Sequence, residues 1–203
     1  MSCTEIYGFD REGNAYHEAD IRNAWRGAFS IWKILESRHL PPYVPDYLKD
    51  TVWYIPTMSA DEIKARLGYT PTRLTPCMGD SHPEEAIWNL QSNESVPMHE
   101  RIVLGTTFDN VLVRKENLPE VIEAFRKFAG ELLENETSIP EQIKVLERML
   151  ADDNCIAVGW NQTSVNADTW TTKGDYDEEN DESIPYNCLT MDQHWWLFKE
   201  EEE

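Results

Sequence analysis

Alternating apolar and polar residues open the chain. The segment CTEIYGF has the pattern of a strand, residues 10–13 (DREG) have the composition of a tight turn, and residues 14–19 return with a second strand pattern. Period-two alternation is typical of a strand with one buried face, and Asp and Gly favour turns. The pattern therefore predicts a β-hairpin over this part of the chain.

A helical pattern follows from about Asp20 to Arg38. Its apolar residues recur three or four positions apart, which is the spacing of one helical face. These residues are Ile21, Ala24, Trp25, Ala28, Phe29, Trp32 and Leu35. Three prolines then end the pattern and begin an irregular stretch that extends to residue 80. We expect a helix with a buried face, followed by a proline-rich insertion.

Helix starts recur further along the chain, each marked by Ser or Asn with Glu three residues later, the pattern of a capping box. The pairs are Ser59 with Glu62, Ser81 with Glu84, Asn117 with Glu120, and Ser138 with Glu141. Between and after these helices, the run IVLGTTFDNVLVR predicts two strands or a bent hairpin. CIAVGW predicts another strand, DTWTT its partner, and HWWLF a last strand.

Strand pairs separated by groups of helices indicate an α+β fold rather than an alternating parallel one. The chain has 203 residues, which is enough for one sizeable core. We expect a single compact domain over residues 1–173, with residues 41–80 as its irregular insertion. An acidic loop at 174–183, a C-terminal strand segment at 184–199 that returns to the core, and an acidic tail at 200–203 complete the predicted organisation.

The charge of the chain is strongly negative and unevenly distributed. There are 38 acidic and 18 basic residues, giving a net charge of −20. Residues 174–203 hold eleven acids and one base, a net charge of −10. Such a surface repels nucleic acid phosphates and anionic membranes, and it favours a partner protein with a basic surface. The alternative is that the acidity serves solubility alone.

The sequence also limits the compartment. It contains no run of apolar residues long enough to span a membrane, and its first residues lack the features of a secretory signal. The four cysteines, Cys3, Cys77, Cys155 and Cys188, are scattered and form no C-x-x-C pair, which is typical of reduced thiols. We therefore expect a cytoplasmic protein.

Motifs of catalysis and metal binding are not found in the sequence. The acidic run from Asp175 departs from the EF-hand pattern, the five histidines are dispersed, and no nucleophile elbow or phosphate-binding glycine loop occurs. We expect no metal, no cofactor and no catalytic residue, and we interpret the acidic run as a solvated linker.

One polar stretch, GWNQTSVNADTWTT, invites a functional interpretation. Amide, hydroxyl and carboxylate groups between two indoles suit a sugar or nucleotide pocket, whose candidate residues are Trp160, Asn161, Gln162, Ser164, Asn166, Asp168 and Trp170. The same residues also suit a tightly hydrogen-bonded turn whose tryptophans cap the core. We favour the structural interpretation and keep the pocket as the alternative.

Four segments carry a resemblance to a known group of proteins. CTEIYGFDREGNAY, RNAWRGAFSIW, VGWNQTSVNADTW and HWWLF resemble small acidic proteins encoded by bacteriophages and prophages. The likeness extends over most of the chain and rests on apolar, structural positions. It implies a phage context, in which accessory proteins inhibit host defence systems or host enzymes, and acidic ones imitate the phosphate backbone of DNA.

Three functional hypotheses follow. The first is a non-enzymatic, phage-type inhibitor that binds a host nucleic-acid-handling or defence protein through an acidic, DNA-mimicking face. The candidate acids of that face are Asp175, Asp177, Glu178, Glu179, Asp181 and Glu182. The second is a small-molecule binding protein or enzyme that uses residues 160–170. The third is a structural or oligomeric phage component.

Overall fold

The computed structural model of this chain describes residues 3–22, 28–40, 53–54, 61, 65, 75–76, 84–108, 110–132, 138–162, 170, 175–191 and 194–198. Contacts between Cα atoms divide the chain into two compact units, residues 1–32 with 91–203, and residues 33–90. The mixture of helices and mainly antiparallel strands confirms the α+β class. In the part of the chain that is described, no helix combines the length and the apolar character needed to cross a membrane.

The helices with defined bounds are α1 (Ala28–His39), α2 (Glu84–Ser92), α3 (Met98–Gly105), α4 (Leu118–Gly130) and α5 (Ile139–Ala151), and a short 3-10 helix, Lys115–Asn117, leads into α4. The strands are β1 (Cys3–Phe9), β2 (Ala15–Arg22), β3 (Trp53–Tyr54), β4 (Thr75–Pro76), β5 (Val111–Arg114), β6 (Ala157–Gln162), β7 (Asp175–Asp177), β8 (Glu182–Ile184) and β9 (Trp195–Trp196).

The main sheet has five strands in the order β2-β1-β6-β5-β9. Its neighbouring strands pair antiparallel, except that β5 and β9 are parallel. β6 lies at the centre, and all six of its residues are buried. Two further sheets have two strands each: β7 pairs antiparallel with β8, and within the unit of residues 33–90 β3 pairs in parallel with β4.

The predicted hairpin is confirmed as β1 and β2, and its turn is shaped by Asp10. The Oδ1 atom of Asp10 accepts hydrogen bonds from the backbone N–H groups of Glu12 (3.0 Å) and Asn14 (2.9 Å). Gly13 has a φ of +85°, a left-handed conformation that glycine adopts without steric cost. The turn therefore follows from residues that the sequence places at these positions.

The pairing of β1 with β2 contains a bulge. Ile6 lies opposite Ala19, but Tyr7 lies opposite His17, so that Glu18 is an extra residue in β2. A bulge of this kind changes which side chains of a strand share a face of the sheet. In β2 it shifts the alternation of side chains by one residue.

The prediction of a helix from Asp20 to Arg38 is wrong at its beginning. Residues 20–22 belong to β2, where they pair with residues 3–5, and α1 begins at Ala28. Strand pairing overrides the local helical spacing here, because propensity is a weaker determinant than tertiary context. Within α1, Ile31 and Leu35 are buried, whereas Trp32 is only partly buried. The predicted positions Trp25 and Phe29 lie outside the side chains that are described.

The run IVLGTTFDNVLVR was expected to form two strands, and its first half is helical instead. IVLG ends α3, which follows Pro97, and only VLVR forms a strand. The hydroxyls of Thr106 and Thr107 donate hydrogen bonds to the carbonyl oxygens of Val103 (2.8 Å) and Leu104 (2.6 Å), which closes the helix end. The apolar run was too short to distinguish a helix from a strand by its periodicity.

The helices predicted after Asn117 and Ser138 are confirmed as α4 and α5. Neither residue makes a side-chain capping hydrogen bond, and each helix has a proline, Pro119 or Pro140, in its first turn. Proline is favoured there because it lacks an N–H, and an N–H in the first turn would have no partner within the helix. The starts were therefore placed correctly, although the local physical cause differs from a capping box.

Buried side chains lie on both faces of the main sheet. On one face, Trp160 Nε1 donates a hydrogen bond to Gln142 Oε1 of α5 (3.3 Å). The other face contributes to a core cluster of seven buried residues: Tyr7, Phe9, Leu112, Ala157, Trp170, Tyr186 and Cys188. Gly159 allows this aromatic layer to approach the sheet, since an added Cβ would lie 2.9 Å from Leu112 Cδ2 and 3.0 Å from Phe9 Cε2.

The C-terminal part of the chain differs from the expected loop and strand. The predicted acidic loop at 174–183 contains β7 and most of β8, which form a hairpin through mutual backbone pairing. In the described part of the segment expected as a strand at 184–199, strand structure is found at Ile184, the last residue of β8, and at Trp195–Trp196, whereas Tyr186 and Cys188 pack into the core. The tail at 200–203, most of residues 41–80 and all of DTWTT except Trp170 lie outside the described residues.

Candidate functional site

The hairpin β7–β8 carries the acidic residues that the charge pattern singled out. Four of its acids are exposed (Glu178, Glu179, Asp181 and Glu182), and Asp177 is partly buried. Asp175 pairs with Ile184 at the open end of the hairpin, and Asp177 pairs with Glu182 next to the turn. The acids therefore occupy ordered strand and turn positions.

Asp177 holds the turn of the hairpin together. Its Oδ2 accepts a hydrogen bond from the side-chain amide of Asn180 (2.7 Å), and its Oδ1 accepts bonds from the backbone N–H groups of Asn180 (3.2 Å) and Glu179 (2.9 Å). These bonds, led by that from the Asn180 side chain, lower the pKa of the Asp177 carboxyl. The carboxylate is thus held in its charged form, because its partners are all donors.

Apolar side chains lie among the acids. Tyr176 is 51% exposed and Ile184 is 39% exposed, one on each strand. The Tyr176 hydroxyl donates a hydrogen bond to Asp181, whose φ of +57° is in the left-handed region. The hairpin therefore presents carboxylates around an exposed aromatic and an exposed aliphatic side chain, a combination found at protein interfaces.

The chain that leaves the hairpin is anchored to the rest of its unit. Asn187 Nδ2 donates a hydrogen bond to the carbonyl oxygen of Glu12 (2.8 Å), and the N–H of Cys188 donates to the carbonyl oxygen of Gly13 (2.9 Å). Both acceptors belong to the turn between β1 and β2. The hairpin is thereby attached to an ordered base at its C-terminal end.

The second set of predicted site residues, in the stretch from Trp160 to Trp170, lies largely in the core. Trp160 and Trp170 are 0% and 1% exposed, and Trp170 Nε1 donates a hydrogen bond to the carbonyl oxygen of Trp160 (3.2 Å). Asn161 and Gln162 are also buried, as the last residues of β6. Buried indoles give no open surface on which a sugar or base can stack. Ser164, Asn166 and Asp168 lie outside the described residues.

A cluster that sequence reasoning missed lies at one end of the main sheet. Glu5 on β1 and His17 and Asp20 on β2 each place one nitrogen or oxygen atom within 4.8 Å of those of the other two. We call these three residues the Glu5 cluster. His17 Nε2 lies 2.8 Å from Asp20 Oδ1, and Glu5 Oε2 accepts a hydrogen bond from the Tyr7 hydroxyl at 3.0 Å. The cluster combines ligand types that bind divalent cations.

The sequence contained only part of the signal for this cluster. Glu5 and Tyr7 share a face because they are two residues apart in a strand. His17 and Asp20 are three residues apart, so a regular strand would have placed them on opposite faces. The bulge at Glu18 brings them to the same face, and nothing in the local sequence marks it.

Another group of ligand-type side chains lies between α3 and α4. His99, Glu100 and Glu131 also meet within 4.8 Å, and His99 Nε2 lies 2.9 Å from Glu131 Oε1. His99 and Glu100 are buried, whereas Glu131 is exposed. This group joins the beginning of α3 to the end of α4, which is a structural role.

Neither of the described free cysteines has the properties of a nucleophile. Burial raises the pKa of the Cys188 thiol to about 11. Burial likewise raises the pKa of Cys155, whose Sγ donates a hydrogen bond to the carbonyl oxygen of Ala157 (3.3 Å). Because the thiolate is the reactive form, both cysteines act as small apolar core residues.

Comparisons with protein-family models, with curated proteins and with solved structures return no match for this chain. The functional argument consequently depends on the geometry of the hairpin and of the Glu5 cluster.

Proposed function

We propose that this chain is a phage-type inhibitory protein that binds a basic surface of a host protein through the hairpin β7–β8. The observation that carries the proposal is that four acids of the hairpin, Glu178, Glu179, Asp181 and Glu182, are exposed at defined strand and turn positions. Charges in defined positions favour one basic surface over another, because misplaced like charges weaken a wrong complex. A flexible acidic linker would give attraction without this selectivity.

The apolar residues of the hairpin support a protein as the partner. Electrostatic attraction mainly accelerates encounter, and stable association also needs desolvated anchor residues. Exposed Tyr176 and Ile184 are suited to that role. Tyrosine in particular is enriched at protein interfaces because it combines a large contact area with a polar hydroxyl.

The density of the negative charge favours a partner that normally binds nucleic acid. Six acids fall within residues 175–182, and nucleic acid likewise presents closely spaced negative charges, one per ~1.7 Å of a duplex axis. The net charge of −20 disfavours direct binding of nucleic acid by this chain and favours the proteins that bind it. The resemblance to phage proteins supports a host defence or nucleic-acid-handling factor as the class of partner.

The proposal is tested by comparing two triple variants with equal net charge. The hairpin variant carries Glu178→Gln, Glu179→Gln and Glu182→Gln. The control variant carries Glu94→Gln, Glu116→Gln and Glu120→Gln, which change exposed acids elsewhere in the same unit. Wild type and both variants are immobilised as full chains and exposed to bacterial lysate. The retained proteins are then eluted with duplex DNA and identified by mass spectrometry.

We expect wild type and the control variant to retain the same DNA-eluted protein and the hairpin variant to lose it. The affinity of the purified partner should fall steeply as salt rises, because electrostatic association is screened. An equal loss of the partner in both variants would show that net charge alone attracts it. Retention by the hairpin variant at the level of wild type would show that the hairpin does not bind the partner. A partner that duplex DNA fails to elute would exclude a nucleic-acid-binding surface.

A further inference from the structure

The Glu5 cluster is assembled by strand register rather than by chance proximity on a surface. Glu5 lies directly opposite Asp20 in the pairing of β1 with β2, and it also lies directly opposite Asn161 in the pairing with β6. The bulge at Glu18 then brings His17 to the face that carries Glu5 and Asp20. Three neighbouring strands thus direct an imidazole, two carboxylates and an amide to one place.

Asn161 provides a second observation, independent of the three clustered side chains. The residue is 0% exposed, and its Nδ2 donates a hydrogen bond to Glu5 Oε2 at 3.0 Å. Within the described structure, the Oδ1 atom of the same amide is buried and has no hydrogen-bond partner. A buried acceptor without a donor is unfavourable, and such atoms in native proteins call for an explanation such as an ion or a water molecule. Because Nδ2 of the same amide donates to Glu5, the unpartnered oxygen belongs to a group that directly contacts a member of the cluster.

We propose that Glu5, His17 and Asp20 bind one divalent transition-metal cation, of which Mn²⁺ and Zn²⁺ are the types best suited, and that Asn161 Oδ1 completes the site directly or through a metal-bound water. Imidazole nitrogen favours transition metals over Mg²⁺ and Ca²⁺, whereas carboxylate and amide oxygens also suit Mn²⁺. The mixture of one nitrogen with several oxygens points to this group of cations.

The surroundings of the cluster match those of known metal sites. Ligating carboxylates are commonly held by hydrogen bonds from neighbouring groups, which orient them for the metal. Glu5 Oε2 accepts such bonds from Tyr7 and Asn161, both of which are buried. Glu18, the extra residue of the bulge, is engaged elsewhere by Arg148 (2.6 Å). The net charge of −20 further attracts cations to the chain.

The test uses Mn²⁺ as the probe, because this cation has little affinity for the thiols of the chain. Chelator-treated full-length protein is titrated with Mn²⁺ in about 0.15 M salt, where the charge of distant acids is screened over ~8 Å. Free Mn²⁺ is measured by electron paramagnetic resonance. We expect one tight site per chain, from which Zn²⁺ but not Mg²⁺ displaces Mn²⁺, as the affinity order of these metals predicts.

Variants locate the site. His17→Gln and Asp20→Asn remove ligands at exposed positions, and each should weaken Mn²⁺ binding at least about tenfold. Tyr7→Phe removes a hydrogen-bond donor to Glu5 and should have a similar effect. Glu12→Gln is the control: it removes one negative charge, as Asp20→Asn does, but in the turn between β1 and β2. This variant should bind Mn²⁺ like wild type. Circular dichroism checks that each variant is folded, and Tyr7→Phe keeps the test decisive if a ligand variant does not fold.

Three results would overturn this inference. The first two are the absence of stoichiometric Mn²⁺ binding by wild type and unchanged binding in His17→Gln. The third is an equal loss of binding in Glu12→Gln and Asp20→Asn, which would indicate adventitious attraction by net charge. His99→Gln separates the two ligand groups, and loss of binding in that variant alone would move the site to α3. The hairpin triple variant should keep its Mn²⁺ site, so that failure of this inference and failure of the proposed function are distinguishable.

Discussion

Consecutive strands of this chain place polar residues in opposite environments. At the end of β6, Asn161 and Gln162 are 0% and 5% exposed and lie in the centre of the main sheet. In the next hairpin, β7–β8, the acids Glu178, Glu179 and Glu182 are exposed. Both segments contain polar residues, yet those of β6 lie in the core and those of the hairpin lie on the surface.

The difference shows that strand pairing decides where a polar residue lies. β6 is paired on both sides, with β1 and β5, so its residues have neighbours on both edges and both faces. β7 and β8 pair only with each other within the described structure. Buried polar groups need partners because they are removed from water, whereas exposed ones do not. Changes in β6 should therefore affect stability, and changes in the hairpin should affect binding.

The largest expected effect is that of Trp160→Ala. This side chain is fully buried in β6, and its loss should lower the free energy of unfolding by about 3–5 kcal/mol. Tyr176→Ala in the hairpin removes a large aromatic that is 51% exposed, and it should change stability by less than about 0.5 kcal/mol. Urea denaturation monitored by circular dichroism measures both. Similar losses in the two variants would break the comparison.

A smaller effect is expected from adding a single methyl group to β6. In Gly159→Ala, the new Cβ would lie 2.9 Å from Leu112 and 3.2 Å from Trp170, and overpacking of this kind costs about 1–3 kcal/mol. Gly130→Ala is the matched control, since no atom lies within 4 Å of its added Cβ. The control should be neutral or slightly stabilising in the same denaturation experiment. A neutral Gly159→Ala would mean that the aromatic layer can move away from the sheet.

A buried hydrogen bond between β1 and β6 should contribute next. Thr4 Oγ1 donates to Gln162 Oε1 at 2.8 Å, and Thr4→Val removes the donor while keeping the shape of the side chain. We expect a loss of about 1–3 kcal/mol, the usual cost of removing the partner of a buried polar group. Thr190→Val, at an exposed position, is the control and should be nearly neutral. Equal effects would show that Gln162 does not depend on Thr4.

The smallest effect should be local to the hairpin and dependent on pH. The pKa of Asp177 is lowered in the folded protein, so its contribution to the turn is present above the ordinary value of 3.8 and is lost as pH falls through the lowered pKa. Nuclear magnetic resonance of the Asn180 side-chain amide should show a transition midpoint below 3.8. Asp177→Asn should abolish this transition without changing the thermal unfolding midpoint at neutral pH. A midpoint at the ordinary value would indicate that the turn is not held by Asp177.

Local patterns predicted the fold well where neighbours in sequence supply the contacts. The first hairpin, α4 and α5 were placed correctly because their turns, prolines and apolar spacing act within a few residues. Residues 20–22 and 102–105 were not, since strand pairing with β1 and the position of Pro97 decide their structure. Such decisions depend on the tertiary context, which periodicity does not contain.

The candidate sites show the same limit. The acids at 175–182 could be found from composition, but their fixed positions on a hairpin depend on the hydrogen bonds of Asp177. The Glu5 cluster could not be found, because it depends on a bulge in β2 that brings His17 and Asp20 to one face, and Asn161, which contacts Glu5, comes from a strand more than 150 residues away along the chain. Residue spacing detects sites within one helix or strand. It misses sites that are formed by the pairing register of several strands.

The position of β1 between β2 and β6 also has a consequence for the order in which the sheet is completed. β1 pairs with β2 on one edge and with β6 on the other, and the Thr4–Gln162 bond joins residues 158 positions apart. A ribosome that adds about 5–20 residues per second needs roughly 8–30 seconds to make the intervening chain. During that interval the hairpin β1–β2 exists with one edge of β1 open, and open edges are templates for pairing with other chains. During its own synthesis, this protein is therefore most exposed to misassembly before its centre strand arrives.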